Sequence, residues 1–487
     1  MAKRKRVEVA NATPAQDTAP SKKAKATTNG SASKATASND LAEEVTIQIV
    51  TGSYDRVLHG ISATIKPTGD VEFADTFLFT AHTSAIRCVA LSPVSVPVPG
   101  QGQKVLLASG STDERINLYN LSAHPTSRTN QDLLSSVAAR PILENSKNRE
   151  LGTLLHHSSS ITKLAFPTRS KLLSSSEDST IAVTRTRDWS VLSTIKAPIA
   201  PPHGRPSGDT APFGGTPSGV NDFAIHPSMK LMISVSKGER CMRLWNLVTG
   251  KKAGVLNFSR SMLQEVGEGR HSTGEGRRVV WGKTDDEDEF AVGFDRDIIV
   301  FGMDSVPKCR VMPDTRNKIH HFSYITVDGE SESSILAVST EDGRVLFFST
   351  KSDDLKKPES EDKSLSTAKL VAQIGGKEDG VSGRIKEMAI LQVKEKDSTT
   401  LIIVAGSSDG KVRLWKVGAK EIAGGKAKGK GKGEAKQAGK LLGTYNTNNR
   451  ITCVAAFAMI PRPEGVEESE DEADEEDSDD SEDDDEE

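Results

Sequence analysis

Residues 401–416, LIIVAGSSDGKVRLWK, contain one complete hairpin pattern of hydrophobic and polar positions. Residues 401–405 form an apolar, β-branched run, and the second run alternates apolar and charged residues before Trp415. The Gly, Ser and Asp residues between the runs favour a tight turn. The pattern therefore predicts two antiparallel strands, with the Trp415 ring buried and Asp409 accepting hydrogen bonds in the turn.

An acidic turn residue followed six positions later by a bulky or β-branched residue occurs seven times along the chain. The flanking apolar runs, such as VLLASG, LMISVS and ILAVS, argue against the alternative of a chance alignment. Because one hairpin cannot bury its own face, this repeat predicts an all-β, seven-bladed β-propeller over residues 44–460. The seven pairs are Asp55/Ile61, Asp113/Tyr119, Asp178/Thr184, Glu239/Trp245, Asp295/Phe301, Asp342/Phe348 and Asp409/Trp415.

The predicted strands are out of phase at the two ends of the chain. The first blade-like unit, from residue 45, lacks an innermost strand, whereas residues 450–458 have the pattern of an innermost strand with nothing after it. We therefore expect terminal strand exchange to close the last blade, because this pairing removes two open sheet edges. Polar or Gly/Pro-rich insertions are expected to be loops at about residues 123–149, 197–218, 259–276, 351–367 and 418–440.

The formal net charge of −5 conceals an uneven distribution of charge. Residues 464–487 carry 18 acidic residues and no Lys or Arg, so the rest of the chain carries +13. This split favours nucleic acid or basic protein partners. Residues 1–43 and 461–487 contain too few large apolar residues to fold, and we expect a disordered basic arm and a disordered acidic tail.

The basic arm contains two clusters with the spacing of a bipartite nuclear localisation signal, and the alternative is a solvated arm. The clusters are Lys3, Arg4, Lys5, Arg6, Lys22, Lys23 and Lys25. The last insertion has seven Lys against two Glu, so it is a candidate RNA contact, with a solubilising loop as an equal alternative. Its four central lysines are Lys426, Lys428, Lys430 and Lys432.

Three serines lie among the acidic residues of the tail and are candidate phosphorylation sites: Ser469, Ser478 and Ser481. Phosphorylation adds about −1.5 to −2 charge at each site. One hypothesis is that the tail competes with RNA for the basic loops, and the other is that it only keeps the protein soluble.

Catalytic and metal-binding motifs are weak in this sequence. Residues 424–430 fit GxxxxGK, but Gly431 follows where a phosphate-binding loop has Ser or Thr. The adjacent pairs at 156–157 and 320–321 are histidines, which we expect to point to opposite faces of a strand. The acidic run at 285–289 is expected to be a solvated turn. We therefore predict no catalytic residue, no metal, no cofactor and no enzyme activity.

The four cysteines have no metal-ligand spacing and lie in apolar contexts, so free buried thiols are expected. The first ten residues lack the apolar core of a signal peptide, and no run is long enough to span a membrane. These features predict a soluble intracellular protein without membrane association.

The hairpin at 401–416 resembles the second and third strands of a WD40 blade. In such blades a His, a Ser or Thr, the turn Asp and a Trp form a buried hydrogen-bonded chain. The resemblance extends to SSSITKLAF, KLLSSSEDSTIAV, DFAIHPSMKLMISVSKGERCMRLWNLVTGK and NTNNRITCVAAF, which are similar to the maintenance-of-killer WD40 family of fungi. The positions that match the blade motif are His82, Ser109, Asp113, Asp178, Trp245, Asp409 and Trp415, with Tyr119 and Glu239 as departures from it.

The resemblance implies a nuclear and nucleolar factor that assembles the large ribosomal subunit. It implies binding to the pre-60S particle together with a ribosomal-protein-like assembly factor and an assembly GTPase, with possible rRNA contact. We expect a non-catalytic scaffold that is a monomer within a large assembly. The animal relatives are described as interactors of a p21-activated kinase, so the alternative is a negative regulator of such a kinase. A propeller enzyme is a third hypothesis.

Overall fold

The computed structural model describes residues 44–98, 101–126, 142–199, 218–268, 272–327, 333–357, 365–395, 398–422 and 436–461. Three sets of predicted functional residues lie outside the described residues. They are the localisation clusters (Lys3, Arg4, Lys5, Arg6, Lys22, Lys23, Lys25), the candidate RNA contacts (Lys426, Lys428, Lys430, Lys432) and the candidate phosphosites (Ser469, Ser478, Ser481). They remain predictions.

Seven small sheets form the described part of the chain, and the prediction of an all-β, seven-bladed propeller is confirmed. The first three strands of the chain are β1 (Val45–Ser53), β2 (Val57–Ile65) and β3 (Val71–Thr80). Blade one contains β4 (Ile86–Leu91), β5 (Lys104–Ser111), β6 (Ile116–Ser122) and β7 (Arg149–Leu154). Blade two contains β8 (Ile161–Thr168), β9 (Lys171–Ser176), β10 (Thr180–Arg185) and β11 (Val191–Lys196).

Blades three and four follow the same order from the inner to the outer strand. Blade three contains β12 (Val220–Ile225), β13 (Leu231–Ser236), β14 (Cys241–Asn246) and β15 (Lys251–Asn257). Blade four contains β16 (Arg278–Thr284), β17 (Glu287–Gly293), β18 (Ile298–Gly302) and β19 (Pro307–Val311).

Blades five and six complete the ring up to the terminal strand. Blade five contains β20 (Ile319–Val327), β21 (Ser333–Thr340), β22 (Arg344–Ser349) and, after the short β23 (Ser366–Thr367), β24 (Lys369–Gly375). Blade six contains β25 (Ile385–Glu395), β26 (Ser398–Ser407), β27 (Lys411–Gly418) and, after the short β28 (Lys436–Gln437), β29 (Lys440–Asn446). The last strand is β30 (Ile451–Ala458).

Parts of three insertions are ordered elements, although all were expected to be loops. β23 adds a parallel fifth strand outside β19, and β28 does the same outside β24. The helices α1 (Arg260–Glu265) and α2 (Ala419–Ile422) occupy two other stretches, and short 3-10 turns lie at Ser352–Asp354 and Lys377–Asp379. These segments carry apolar residues that the ring buries, among them Leu263 in α1 and Ile422 in α2. Burial of those side chains offsets the entropy lost on ordering the segments.

The second strand of each blade is the most buried, because both of its faces pack against neighbouring blades. In β26, Leu401 and Ile403 pack on the blade-five side, while Ile402 and Val404 pack on the blade-seven side. The outermost strands are largely exposed, as in β7. The core is therefore a series of apolar layers between blades rather than one central cluster.

Blade seven is shared between the two ends of the described chain. β30 pairs antiparallel with β1, from Ile47 opposite Ala458 to Ser53 opposite Ile451. The seven inner strands then neighbour one another in the cyclic order β30, β4, β8, β12, β16, β20 and β25. The predicted terminal strand exchange is confirmed.

The acidic run at 285–289 is partly a strand, and the prediction of a solvated turn is wrong for its last residue. Glu289 lies in β17 and is 2% exposed. It accepts hydrogen bonds from Thr350 Oγ1 at 2.7 Å, Tyr324 Oη at 2.8 Å and Lys308 Nζ at 2.9 Å. These donors replace the water that the carboxylate loses, so burial is tolerated.

Glycines in the second strands allow neighbouring blades to approach closely. A Cβ at Gly52 would lie 2.6 Å from Cys453 Sγ and 2.6 Å from the Ile86 side chain, where β1 meets β30 and blade one. We predict that Gly52→Val lowers the free energy of unfolding by about 1–3 kcal/mol, because overpacking displaces these neighbours. Denaturant titration measures the change.

Gly254 in the outer strand β15 provides the matched control, since its nearest heavy atom to an added Cβ is Leu244 Cβ at 4.0 Å. Gly254→Val should change stability by less than about 0.5 kcal/mol. Equal destabilisation by the two variants would contradict the close packing at the closure.

Candidate functional site at the mouth of the central channel

Blade one contains a chain of hydrogen bonds from a histidine through a serine and an aspartate. His82 Nε2 lies 2.8 Å from Ser109 Oγ, and its Nδ1 lies 3.1 Å from Asp113 Oδ2. Asp113 also accepts from the backbone N–H groups of Thr83 and Arg115. Burial lowers the pKa of His82 despite the neighbouring carboxylate. The network joins the loop before the inner strand to the turn between the second and third strands.

Blade two contains the same network. Of its three residues, only Asp178 was predicted from the sequence. His157 Nε2 lies 2.8 Å from Ser174 Oγ, and Nδ1 lies 3.1 Å from Asp178 Oδ2. His156 also reaches Ser174, at 3.0 Å, so the expectation that the two histidines point to opposite faces of a strand is wrong. Both precede β8 and lie in a loop. The available signal was spacing, since His82 and His157 each lie four residues before an inner-strand isoleucine.

Blades three and six hold their turn carboxylates with arginines instead. Glu239 pairs with Arg243, and Asp409 Oδ2 accepts from Arg413 Nη2 at 2.8 Å. Both arginine side chains are less than one tenth exposed. Although burial opposes ionisation, these hydrogen bonds hold the pKa of Asp409 below its usual range. Each turn is therefore fixed by a buried ion pair within one hairpin.

The aromatic residues of the motif have different partners in different blades. Trp245 Nε1 donates to Ser234 Oγ at 2.8 Å. Trp415 is 1% exposed, and its Nε1 has no hydrogen-bond partner among the described residues. Tyr119 stands in the Trp position of blade one, where burial raises its pKa to about 12. The full four-residue chain is thus incomplete in blade six, and packing holds its tryptophan.

The inner strands begin at the end of the ring that carries the turns between second and third strands. The carbonyl of the residue before each of several inner strands accepts a hydrogen bond from such a turn. These bonds include Tyr54 N to Arg450 O at 2.8 Å, Glu341 N to Lys318 O at 2.9 Å and Ser408 N to Arg384 O at 2.9 Å. We call the opening of the central channel at this end the mouth.

Just inside the mouth, each blade contributes one side chain to a single level of the channel, which we call the channel ring. Arg278 of blade four lies 3.7 Å from Glu387 of blade six, although blade five stands between them. These side chains therefore extend into the channel. The register with the second strands places seven residues at this level: Cys88, Lys163, Asp222, Arg278, His321, Glu387 and Cys453.

The two carboxylates of the channel ring join neighbouring blades. Asp222 pairs with Lys163 at 2.5 Å and accepts from the Val279 N–H at 3.0 Å. Glu387 makes the equivalent bond to the Val454 N–H, also at 3.0 Å. Inner strands have one edge without a sheet partner, so these carboxylates satisfy donors that the sheets leave open. Both acids are held by a cation and a backbone donor.

Burial shifts the pKa of several groups in the channel ring. It raises the pKa of Glu387 despite the Arg278 guanidinium. Burial and the Arg278 charge hold the pKa of His321 well below its usual range. Burial raises the pKa of the Cys88 thiol to about 12, so this thiol is protonated and a poor nucleophile.

A group of cations surrounds one side of the mouth. Lys318, Arg384 and Arg450 occupy the residue directly before the inner strands of blades five, six and seven. His320 and Lys386 follow two residues later in blades five and six. We call the four cations, together with the neighbouring His320, the cationic sector. The residues directly before the inner strands of blades one, two and three are Ala85, Ser160 and Gly219. In blade four the residue is Arg277, which pairs with Asp295 at 3.4 Å.

The cationic sector is incompletely neutralised. Arg384 Nε lies 3.0 Å from Glu341, and Lys318 lies 3.6 Å from Asp295. Within the described residues, by contrast, Lys386 forms no ion pair, and burial and the charges of nearby cations lower its pKa. Burial, followed by the Lys386 charge, lowers the pKa of His320 to about 4. The cations of the sector thus outnumber the carboxylates that pair with them.

The described residues contain no group of three or more His, Cys, Asp or Glu side chains that could hold a metal ion. No helix in the described ranges is long and apolar enough to cross a membrane.

Comparisons with known proteins identify relatives over most of the chain. The family model described as "WD domain, G-beta repeat" matches residues 148–183, which include His157, Ser174 and Asp178. Protein MAK11 of Saccharomyces cerevisiae is 26% identical over 77% of this chain and 78% of its own length. The p21-activated protein kinase-interacting protein 1-like of Danio rerio is 24% identical over 84% of this chain and 80% of its own. Its Xenopus laevis counterpart is 23% identical over 88% and 85%.

The chain is a homologue of MAK11 and of the p21-activated protein kinase-interacting proteins. The segment similar to a WD40 repeat holds the His-Ser-Asp network of blade two, and blade one has a network of the same geometry. Blades three and six use arginine pairs instead. WD40 propellers generally serve as interaction scaffolds, and several relatives are named as interacting proteins.

The buried ion pair between Asp409 and Arg413 in blade six allows a test of whether such a pair fixes the turn. Asp409→Ala leaves the Arg413 guanidinium buried without a counter-charge, so we predict a loss of about 2–4 kcal/mol in unfolding free energy. The double variant Asp409→Ala/Arg413→Met should regain most of this loss, because it removes both charges. Denaturant titration of both variants measures the coupling.

The exposed pair Lys66–Glu72, whose side chains are 43% and 59% exposed, is the control. Its double-variant cycle should show no measurable coupling, since solvent screens exposed pairs. If Asp409→Ala unfolds at the same denaturant concentration as the parent, the buried pair is not what fixes this turn.

Proposed function

We propose that this WD40 homologue is a non-catalytic scaffold in assembly of the large ribosomal subunit. The observation that carries the proposal is a closed ring whose mouth presents an incompletely neutralised cationic sector on three adjacent blades. A rigid ring with loops at both ends can hold several partners at fixed relative positions. The resemblance to the maintenance-of-killer family supports the ribosomal setting.

The proposed partners are the pre-60S particle, a ribosomal-protein-like assembly factor and an assembly GTPase, with rRNA contact through the basic segments. The uneven charge supports this set, because a chain with +13 outside its acidic tail attracts polyanionic particles. Nuclear and nucleolar localisation belongs to the same proposal and is supported by the two basic clusters of the arm.

A second candidate function is negative regulation of a p21-activated-type protein kinase by direct propeller binding. The names of several relatives favour it, since proteins from Danio rerio and Homo sapiens are named as p21-activated protein kinase-interacting proteins. A kinase segment would bind the same surfaces of the ring, so the identity of the bound partner separates the two candidates.

Purification of the tagged full-length protein from its own cells separates the two candidates. We predict that precursor rRNA and large-subunit proteins co-purify with it at 100 mM salt. A kinase in stoichiometric amount without ribosomal material would contradict the assembly proposal and support the second candidate.

A further inference from the structure

On one side of the mouth, a cation directly precedes the inner strand of every blade from four to seven. In blade four this cation is Arg277, which pairs with Asp295 at 3.4 Å. The residue before the inner strand is Lys318, Arg384 or Arg450 in blades five to seven, but Ala85, Ser160 or Gly219 in blades one to three. The carbonyl groups of these residues bond to the neighbouring turns, so the backbone is fixed in the same way in each of these blades. The three cations are therefore held on adjacent blades at one height.

The sector has an outer rim and a recessed part. The side chains of Lys318 and Arg384 are 46% and 53% exposed and form the rim. Lys386 and His320 lie two residues further into the channel and are half-buried. The buried Nε2 of His320 has no hydrogen-bond partner within the described part of the chain. Charged and polar atoms thus continue from the surface into the channel.

The recessed part of the sector and the residues around it indicate which kind of anion binds there. Arg278 and Glu387 approach to 3.7 Å across the channel, so the channel admits single side chains of an extended peptide more readily than a bulky nucleic acid backbone. The carboxylates of Glu341 and Asp295 flank the rim and repel a continuous run of phosphates. A short acidic segment can place its carboxylates on the cations and avoid these neighbours.

An aromatic ring extends the rim on blade seven. The Arg450 guanidinium lies over the Tyr54 ring at 5.4 Å from its centroid, and Tyr54 is 59% exposed. This contact holds the guanidinium above the surface with its N–H groups available to a carboxylate. Arg450 is therefore positioned for a bidentate hydrogen bond with an Asp or Glu side chain.

We propose that the cationic sector of the mouth binds an extended acidic peptide segment of a partner protein. Carboxylates of the segment pair with Lys318, Arg384 and Arg450 at the rim, and one side chain enters the channel to reach Lys386 and His320. The inference rests on the proposed scaffold function and specifies the chemistry of one of its partners.

Fluorescence anisotropy with purified full-length protein tests this site. The probe is a fluorescein-labelled twelve-residue peptide of Asp and Glu, measured at 50 mM and 200 mM salt. The variant Lys318→Gln/Arg384→Gln/Lys386→Gln/Arg450→Gln should raise the peptide Kd by at least about tenfold at 50 mM salt, because four favourable charge contacts are lost. The difference should shrink at 200 mM salt as screening increases.

The control variant removes the same number of charges from exposed lysines on outer or distant strands. It is Lys171→Gln/Lys196→Gln/Lys251→Gln/Lys252→Gln. Its peptide Kd should stay within about twofold of the parent, because these lysines lie outside the sector. Equal weakening by both variants, or no binding of the peptide by the parent protein, overturns the proposal.

Two further measurements keep the outcome decisive. If the quadruple variant, which we call the mouth variant, loses its cooperative thermal transition, the double variant Lys318→Gln/Arg384→Gln replaces it. A change in peptide Kd below about twofold then overturns the proposal.

The binding of a single-stranded RNA of twelve nucleotides is measured in parallel. Loss of RNA binding in the mouth variant, with peptide binding unchanged, would assign the sector to RNA instead.

The binding assay contains only purified components, so its failure is distinct from failure of the assembly proposal. Peptide binding without co-purified ribosomal material would leave the site in place and remove the ribosomal setting. Co-purified ribosomal material without peptide binding would keep the ribosomal setting and remove the peptide site.

Discussion

The antiparallel pairing of β30 with β1 determines whether this chain can form a ring at all. Without it, β1 and the inner strands of blades one and six would each have an exposed edge or face. The Thr452 hydroxyl lies within donor distance of two carbonyl oxygens, that of Gly52 at 3.0 Å and that of Ile86 at 2.6 Å, so one side chain of the last strand contacts both β1 and blade one. β30 also neighbours β25 of blade six, so the closure joins blade six, blade seven and blade one.

The same pairing sets the geometry of the mouth. Arg450 precedes β30, and its carbonyl accepts from Tyr54 N, which belongs to the opposite end of the propeller sequence. Glu387 of blade six accepts from Val454 N on the other side of the strand. The position of Arg450, the third cation of the rim, thus depends on β30, the last strand of the chain. The complete cationic sector exists only in the closed ring.

Two kinds of polar network fix the turns, and they differ in how far they reach. The His-Ser-Asp networks of blades one and two join a loop to a turn across the blade. The arginine pairs of blades three and six act within one hairpin. A blade that has lost the His can therefore keep a rigid turn, because a local buried ion pair replaces the longer connection.

Most of the fold was predictable because its signals are local. Apolar runs, turn residues and a repeated spacing specify each hairpin, and the unmatched strand at 450–458 indicated the closure. The prediction was wrong for the acidic run at 285–289, because the donors to Glu289 come from Lys308, Tyr324 and Thr350, which are distant in sequence. Partners of this kind are invisible until the blades are stacked.

The mouth was missed for a related reason. Lys318, Arg384 and Arg450 are each 66 residues apart, and nothing in their local sequence marks them as a group. Their common feature is their position directly before an inner strand, which only the sheet register defines. The nine residues of the predicted blade motif were recognisable because a family pattern fixes their spacing, whereas no such pattern specifies a surface charge.

Native-state hydrogen exchange of the terminal strand tests the closure most directly. The amides of β30 that pair with β1 should exchange as slowly as those of β26 in the core of blade six, because opening either strand requires opening the ring. Mass spectrometry of peptides covering Ile451–Ala458 and Ser398–Ser407 compares the two strands in one sample. Exchange of the β30 amides within seconds, while those of β26 stay protected for hours, would contradict a ring closed by its last strand.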